Sequence, residues 1–200
     1  MNKHKLQKQI TRNKIFDSTA TLVMTFGYSS VNVTKIVTHA KISRGTFYQH
    51  FIDIRDVFEQ MNDYILKQLE MLQIKFQKHI KVVIRDLIQT KLALTDEQAF
   101  KTTLEEIYRF LYENRVVCSA ILTNRLGFDF NEYFMPKVIQ LISAEDLVKV
   151  LKNDFPVDYY ISHSIYSHVG FIKAWFERDF LETPKELSDI YYKLLLIKSI

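Results

Sequence analysis

An all-α chain is what the sequence predicts, and three observations predict it. Apolar residues recur at three- and four-residue spacing over long stretches. Glycine and proline are scarce, 4 and 3 in 200 residues. No stretch alternates apolar with polar residues between turn dipeptides, as half-buried strands would. Apolar residues make up 48% of the chain, enough for a packed core rather than a disordered chain.

The first helix is expected over Lys3–Phe26. Leu6, Ile10, Ile15, Leu22, Val23 and Phe26 fall broadly on one side, and Gly27 closes it as a C-terminal cap. Asn32 is the N-cap of a second, short helix that places Val33, Ile36, Val37 and Ala40 on one face. Lys41-Ile42-Ser43 leaves room only for a turn, and Ser43 caps a third helix. In that helix Phe47 and Phe51 are four apart and share a side that must be buried. Gly45, Gln49 and Thr46 then point away from the rings, and Arg44, Tyr48 and His50 flank them. A short helix with a packed back and a polar front of this kind is shaped for a DNA major groove.

Charge supports the same conclusion. Residues 1–50 hold eight Lys/Arg and one acidic residue, Asp17, a net +7; residues 51–200 hold 19 Lys/Arg and 22 Asp/Glu, a net −3. A basic block on a slightly acidic remainder is the electrostatic footprint of nucleic-acid binding. Lys3, Lys5, Lys8, Arg12 and Lys14 in the first helix are candidates for the DNA backbone.

Ser43 to Phe51, SRGTFYQHF, resembles the recognition-helix signature of the TetR family of bacterial transcriptional regulators. Ile15, Phe16, Leu22, Gly27-Tyr28, Ile36 and Ala40 fit the same frame without gaps. The resemblance covers the first quarter to third of the chain. It implies a DNA-binding domain over residues 1–52 and a helical effector-binding and dimerisation domain over residues 53–200. It implies DNA contacts from Asn32, Thr34, Arg44, Gly45, Thr46, Tyr48, Gln49 and His50. Two departures stand out. Lys41 occupies a turn position where the family usually has Gly, and Ile54 a position where it often has a phosphate-gripping Lys; Arg55 is the substitute candidate.

Asp53 to Asp56 has the spacing of a capping box and opens a long helix expected to run to about His79. Further helices are expected over Val82–Leu94, from the Thr95-Asp96-Glu97-Gln98 cap through Leu111, over Val116–Leu126 up to Gly127, and over Phe134–Ile142. Ser143 to Asp146 caps another turn. Val157–Phe180 follows with a stripe of Ile161, Ile165, Val169, Ile172, Phe176 and Phe180. Thr183-Pro184-Lys185-Glu186 starts the last helix, and Leu187–Ile200 is apolar nearly all round. A terminal helix with that pattern needs a partner chain. The family resemblance implies a homodimer through the last two helices, with Gly170, Lys173, Ala174, Tyr191, Leu194 and Leu195 at the interface. Phe171-Ile172-Lys173-Ala174-Trp175 and Tyr112-Glu113-Asn114-Arg115 are also similar to a Gram-positive branch of regulators tied to dihydroxyacetone kinase.

Catalytic and metal chemistry have no foothold. His163 and His168 lie about 140° apart on a helix, and no phosphate-binding glycine loop, H-E-x-x-H or G-x-S-x-G is present. No cofactor is implied. The single cysteine, Cys118, excludes a disulfide framework; it is a buried core thiol or, less simply, a redox or pocket thiol. Tyr108, Tyr112, Tyr159, His163 and Tyr166 offer polar tips on apolar bodies, as either a small-molecule pocket or a tyrosine-rich core would. No apolar run is long enough to span a membrane, and Met1 to Lys5 does not open a signal peptide, so the cytoplasm is the expected compartment. The function expected is a dimeric regulator of palindromic double-stranded DNA, a repressor released by a small-molecule effector. The alternative is a co-activator whose C-terminal domain binds a partner protein.

Overall fold

In the computed structural model, residues 3–88, 97–125, 129–136 and 156–196 are described; all regular structure among them is helical. Eight α-helices are labelled here: α1 Lys3–Phe26, α2 Val33–Ala40, α3 Arg44–Tyr48, α4 Ile54–Ile88, α5 Glu97–Glu113, α6 Arg115–Leu122, α7 Val157–Glu177 and α8 Pro184–Leu196. A 3₁₀ turn at Tyr28–Ser30 follows α1, and one π-helical turn spans Phe130–Phe134. The chain divides into two compact units, one of residues 1–67 with 114–135, the other of residues 68–113 with 136–200.

The first unit is built on α1, which packs against α2 and α6. Ile15, Phe16, Ala20 and Val23 of α1, Ile36 and Val37 of α2, Phe47, and Val57, Phe58, Met61 and Ile65 of α4 are all buried in this unit. Each such large side chain contributes about 1.5–3 kcal/mol on burial. Gly27 ends α1 with φ +78°, its N–H bonding Val23 O at 2.9 Å. Cys118 is buried in this unit, on α6.

The expected helix break near His79 does not occur: α4 runs on to Ile88, and residues 89–96 lie outside the described residues. No Gly or Pro falls between Ile54 and Ile88, so nothing in that segment stops an α-helix. The Val116–Leu126 helix is shorter than expected, ending at Leu122, where Asn124 takes φ +55°. Pro136 is helical, while Gly127, residues 137–142 and the Ser143–Asp146 cap lie outside the described residues.

In the second unit α5 lies against α8, burying Phe100, Leu104, Tyr108 and Leu111 with Leu187 and Tyr192. Lys101 Nζ bridges Glu97 (2.6 Å) and Asp189 (2.9 Å), and the Tyr192 hydroxyl donates to Glu97 (2.9 Å). Thr183 and Glu186 form the expected capping box at the start of α8: Thr183 N–H donates to Glu186 Oε2 at 2.9 Å and Glu186 N–H to Thr183 Oγ1 at 3.3 Å. α7 stops at Glu177, before Phe180, in a turn where Asp179 and Phe180 both have positive φ. Of the expected stripe Ile165 is buried, Val169, Ile172, Phe176 and Phe180 are half-buried, and the Ile161 side chain lies outside those described; Trp175 is also buried, and His168 and Phe171 pack on Tyr191. Apolar residues occupy most of the circumference of α7, so periodicity alone could not select the buried face.

Candidate nucleic-acid interface

The helix-turn-helix forms through local capping chemistry. Asn32 Oδ1 accepts from Lys35 N–H at 2.9 Å, and Ser43 Oγ accepts from Thr46 N–H at 2.9 Å, so each short helix has an orphan donor satisfied. Ser43 Oγ also shares a 2.9 Å hydrogen bond with the Thr46 hydroxyl. Between the helices Lys41 sits at φ 54°, ψ 50°, in the left-handed region. The Ile42 N–H bonds Val37 O and the Lys41 N–H bonds Thr38 O, a reverse turn that satisfies the last carbonyls of α2. The conformation usually given to glycine is thus kept by a lysine.

α3 is a helix of five residues, with Gln49 and His50 in the turn that follows. Phe51 N–H still bonds Phe47 O at 3.0 Å, and the two rings lie 5.8 Å apart in the core, completed by Phe16 at 5.6 Å from Phe51. With the back fixed this way, Arg44, Gly45, Tyr48 and Gln49 face outward, Tyr48 being 58% exposed with its ring edge-on to Phe47. Thr46 and His50 are half-buried at the margins. Among the described residues a Cβ added at Gly45 would meet only Ser43 Oγ, at 3.6 Å, an ordinary contact. The fold does not require glycine there.

Thr34 and Asn32 are exposed on the first turn of α2. The Arg44 guanidinium donates from Nη2 to Thr34 Oγ1 at 2.6 Å, across the turn between α2 and α3. Arg55, at the start of α4, pairs with Glu59 at 2.9 Å, which partly satisfies the charge available to a phosphate. Partial burial first, then the charges of Lys8 and Arg12, hold the His50 imidazole below its ordinary value. Lys8, Arg12 and His50 therefore lie within electrostatic reach of one another. The polar interface candidates Asn32, Thr34, Arg44, Gly45, Thr46, Tyr48, Gln49, His50 and Arg55 all belong to the first unit.

The pocket candidates separate. Cys118 is in the first unit, and burial pushes its thiol up to about 12, which suppresses the reactive thiolate. Tyr108 is fully buried in the second unit, sharing a 2.8 Å hydrogen bond with His168 Nε2, and burial raises its phenol. His168 stacks on Tyr191, centroids 4.3 Å apart, and burial lowers it to about 4. Tyr112 stacks on Trp175 at 6.2 Å. Tyr159 (74% exposed), His163 and Tyr166 instead share an outward stripe of α7 with Gly170, Lys173 and Ala174. On α8 Leu194 is exposed and Leu195 half-buried, while Tyr191 is packed inward on His168 and Phe171. Among the described residues no three His, Cys, Asp or Glu gather as a metal site, and no helix is long and apolar enough to cross a membrane.

Residues 15–61 match the family model described as bacterial regulatory proteins, tetR family, and residues 98–196 match a transcriptional regulator C-terminal region. A comparison with curated protein sequences finds no match. Solved structures with the same fold include the fatty acid degradation regulator FadR of Bacillus halodurans, at 16% identity and TM-score 0.60, covering 94% of this chain and 95% of that one. A TetR-family regulator from Syntrophomonas wolfei gives 16% identity and TM-score 0.60 over 96% and 97% of the two chains. A gamma-butyrolactone receptor (ArpA-like protein) gives 17% and 0.52 over 95% and 96%. These matches do not single out the branch tied to dihydroxyacetone kinase. A helix-turn-helix with a buried aromatic back and polar front, joined to a helical second unit and matched by both halves' family models, places this chain in the TetR family of bacterial transcriptional regulators.

Proposed function

We propose that the chain acts as a homodimer that binds a palindromic double-stranded operator through α3, and that a small-molecule effector releases it, making it a repressor rather than an enzyme. Residues 1–52 are the DNA-binding domain in this proposal and residues 53–200 the regulatory and dimerisation domain. One observation carries it: the outward face of α3 presents Arg44, Gly45, Tyr48 and Gln49 from a helix anchored by Phe47 and Phe51, within a +7 segment. Arg44 is the base reader, because its planar fork matches guanine O6 and N7, while His50 and Tyr48 flank it and grip phosphates.

Dimerisation is supported by the outward stripe of α7, in which Tyr159, His163, Tyr166, Gly170 and Lys173 follow one another at alternating four- and three-residue spacing. Among the described residues nothing lies within 4 Å of a Cβ added at Gly170, so a mid-helix glycine stands where they do not require it. Effector release is supported by structural neighbours named for fatty acid degradation and gamma-butyrolactone reception. The helix α4 contributes residues to both units, which gives a differential effector a path to the spacing of two recognition helices.

Selection of duplexes from a randomised library, with sedimentation at micromolar concentration, tests the proposal. A two-fold symmetric site with half-sites about one helical turn (~34 Å) or a multiple apart, bound by a dimer, is expected. Recovery of no sequence preference, or a monomer, would overturn it.

A further inference from the structure

We infer that Thr34 is a positioning residue that holds Arg44 in its base-reading conformation before DNA is met. The inference rests on the proposed role of Arg44 and deepens it. Arg44 and Thr34 are ten residues apart, on the first turns of α3 and α2, and both side chains are exposed. An exposed arginine ordinarily samples many rotamers, and fixing them on binding opposes affinity. Here Nη2 is already committed to Thr34 Oγ1 at 2.6 Å. The guanidinium has five donors in a rigid fork, so one hydrogen bond orients the plane and leaves four N–H groups for bases or phosphates.

Thr34 suits this part. Its hydroxyl oxygen accepts from Arg44, the one direction open to a pair in which the guanidinium can only donate. Its neighbours are already committed within the protein. Asn32 Oδ1 caps α2, Lys35 Nζ donates to Ser30 O at 2.6 Å, and Ser43 Oγ caps α3. The Thr34 hydroxyl makes no capping bond; its partner is the side chain proposed to read the operator. Ordering a reader in the free protein lowers the entropy lost on binding and restricts which bases it can reach, so Thr34 would shape both affinity and sequence preference.

The test is a double-mutant cycle on the full-length protein, using the duplex that the wild type selects from a randomised library and its single-base variants. Thr34→Val keeps the shape and removes the hydroxyl. It should weaken binding about three- to tenfold and flatten the preference at the base pair that Arg44→Ala flattens, whereas Thr34→Ser should restore both. In an Arg44→Ala background, Thr34→Val should change nothing further. Three results overturn the inference. One is a Thr34→Val loss that persists without Arg44, which would make Thr34 an independent DNA contact. Another is a lowered thermal midpoint with unchanged sequence preference, which would make the bond a structural tie between α2 and α3. The third is Arg44→Ala altering preference while Thr34→Val does not. If Arg44→Ala leaves the preference profile intact, or no sequence is selected at all, the reading of Arg44 fails first and the inference with it.

Discussion

Replacing Gly45 with alanine should make the protein more stable and a worse DNA binder. Glycine within a helix is less favourable than alanine by roughly 0.5–1 kcal/mol, because its backbone loses more freedom on folding. That cost is tolerated in proteins where a positive φ or a crowded neighbour demands glycine. Neither applies to Gly45, which lies within α3, takes no positive φ, and among the described residues has only Ser43 Oγ at 3.6 Å from an added Cβ. Gly45→Ala should therefore raise the unfolding midpoint by about 1–4 °C, taking 1 kcal/mol as 2–4 °C for a chain of this size. If the glycine is there to let the backbone approach DNA, an extra methyl overpacks that contact at about 1–3 kcal/mol, a loss of about five- to 150-fold in affinity for the selected duplex. Thermal unfolding by circular dichroism and fluorescence-anisotropy titration read the two effects separately. A destabilised variant would show that the site lacks the free space described. Unchanged affinity would show that Gly45 does not face DNA closely, and would count against the proposed orientation of α3.

Four further outcomes are expected. Lys41→Gly should stabilise the turn by about 1 kcal/mol, since a left-handed non-glycine residue is strained by 1–2 kcal/mol, part of which glycine's greater unfolded-state freedom offsets; urea unfolding checks it, and a destabilised variant would contradict the φ of 54° at that turn. His168 is held at about 4 against an ordinary 6.5, so its contribution to stability is present above the unfolded value and lost as pH falls toward the folded one. Between pH 7.5 and pH 5 it should account for about 2 kcal/mol of destabilisation, absent in His168→Gln when urea midpoints are compared at the two pH values. Gly170→Leu should weaken self-association in sedimentation while leaving the helical signal intact; a dimer as tight as wild type would exclude Gly170 from the interface. Cys118, buried with its thiol pushed up to about 12, should resist thiol reagents in the native state and react on denaturation, and rapid native labelling would refute its placement.

Much of this architecture was legible because local chemistry decides it. Asn32, Ser43, Asp53 and Thr183 each precede a helix and each accepts a hydrogen bond from the N–H three residues on, so these helix starts could be placed from side-chain type alone. The anchoring of α3 by Phe47 and Phe51 follows equally from spacing. What could not be read was set by tertiary packing. A helix end without Gly or Pro leaves no mark, so α4 was expected to stop before Ile88. The packed side of α7 depended on which residues Tyr108 and Tyr191 could reach, and half-buried His168 was not foreseen as their partner for that reason. The same limit applied at the interface. Thr34 and Arg44 were each expected at the DNA interface from the family resemblance, but their hydrogen bond spans ten residues and a turn, beyond anything that periodicity encodes.

Trp175 gives the second unit an intrinsic optical signal. It is the chain's single tryptophan, 1% exposed, with its indole N–H donated to Glu182 O at 2.9 Å and its ring bordered by Tyr108, Tyr112, Phe176 and Phe180. An indole shielded from water emits at shorter wavelength than a wetted one, and neighbouring tyrosines pass it their excitation. Its asymmetric ring packing also gives it a near-ultraviolet dichroic band. Emission excited at the red edge, where tyrosine does not absorb, therefore comes from the last turn of α7, against the α7–α8 connection, and from nowhere else in the chain. Unlabelled protein can thus report, by a shift in colour, any compound that disturbs that turn, and candidate effectors can be screened by fluorescence before an operator is in hand.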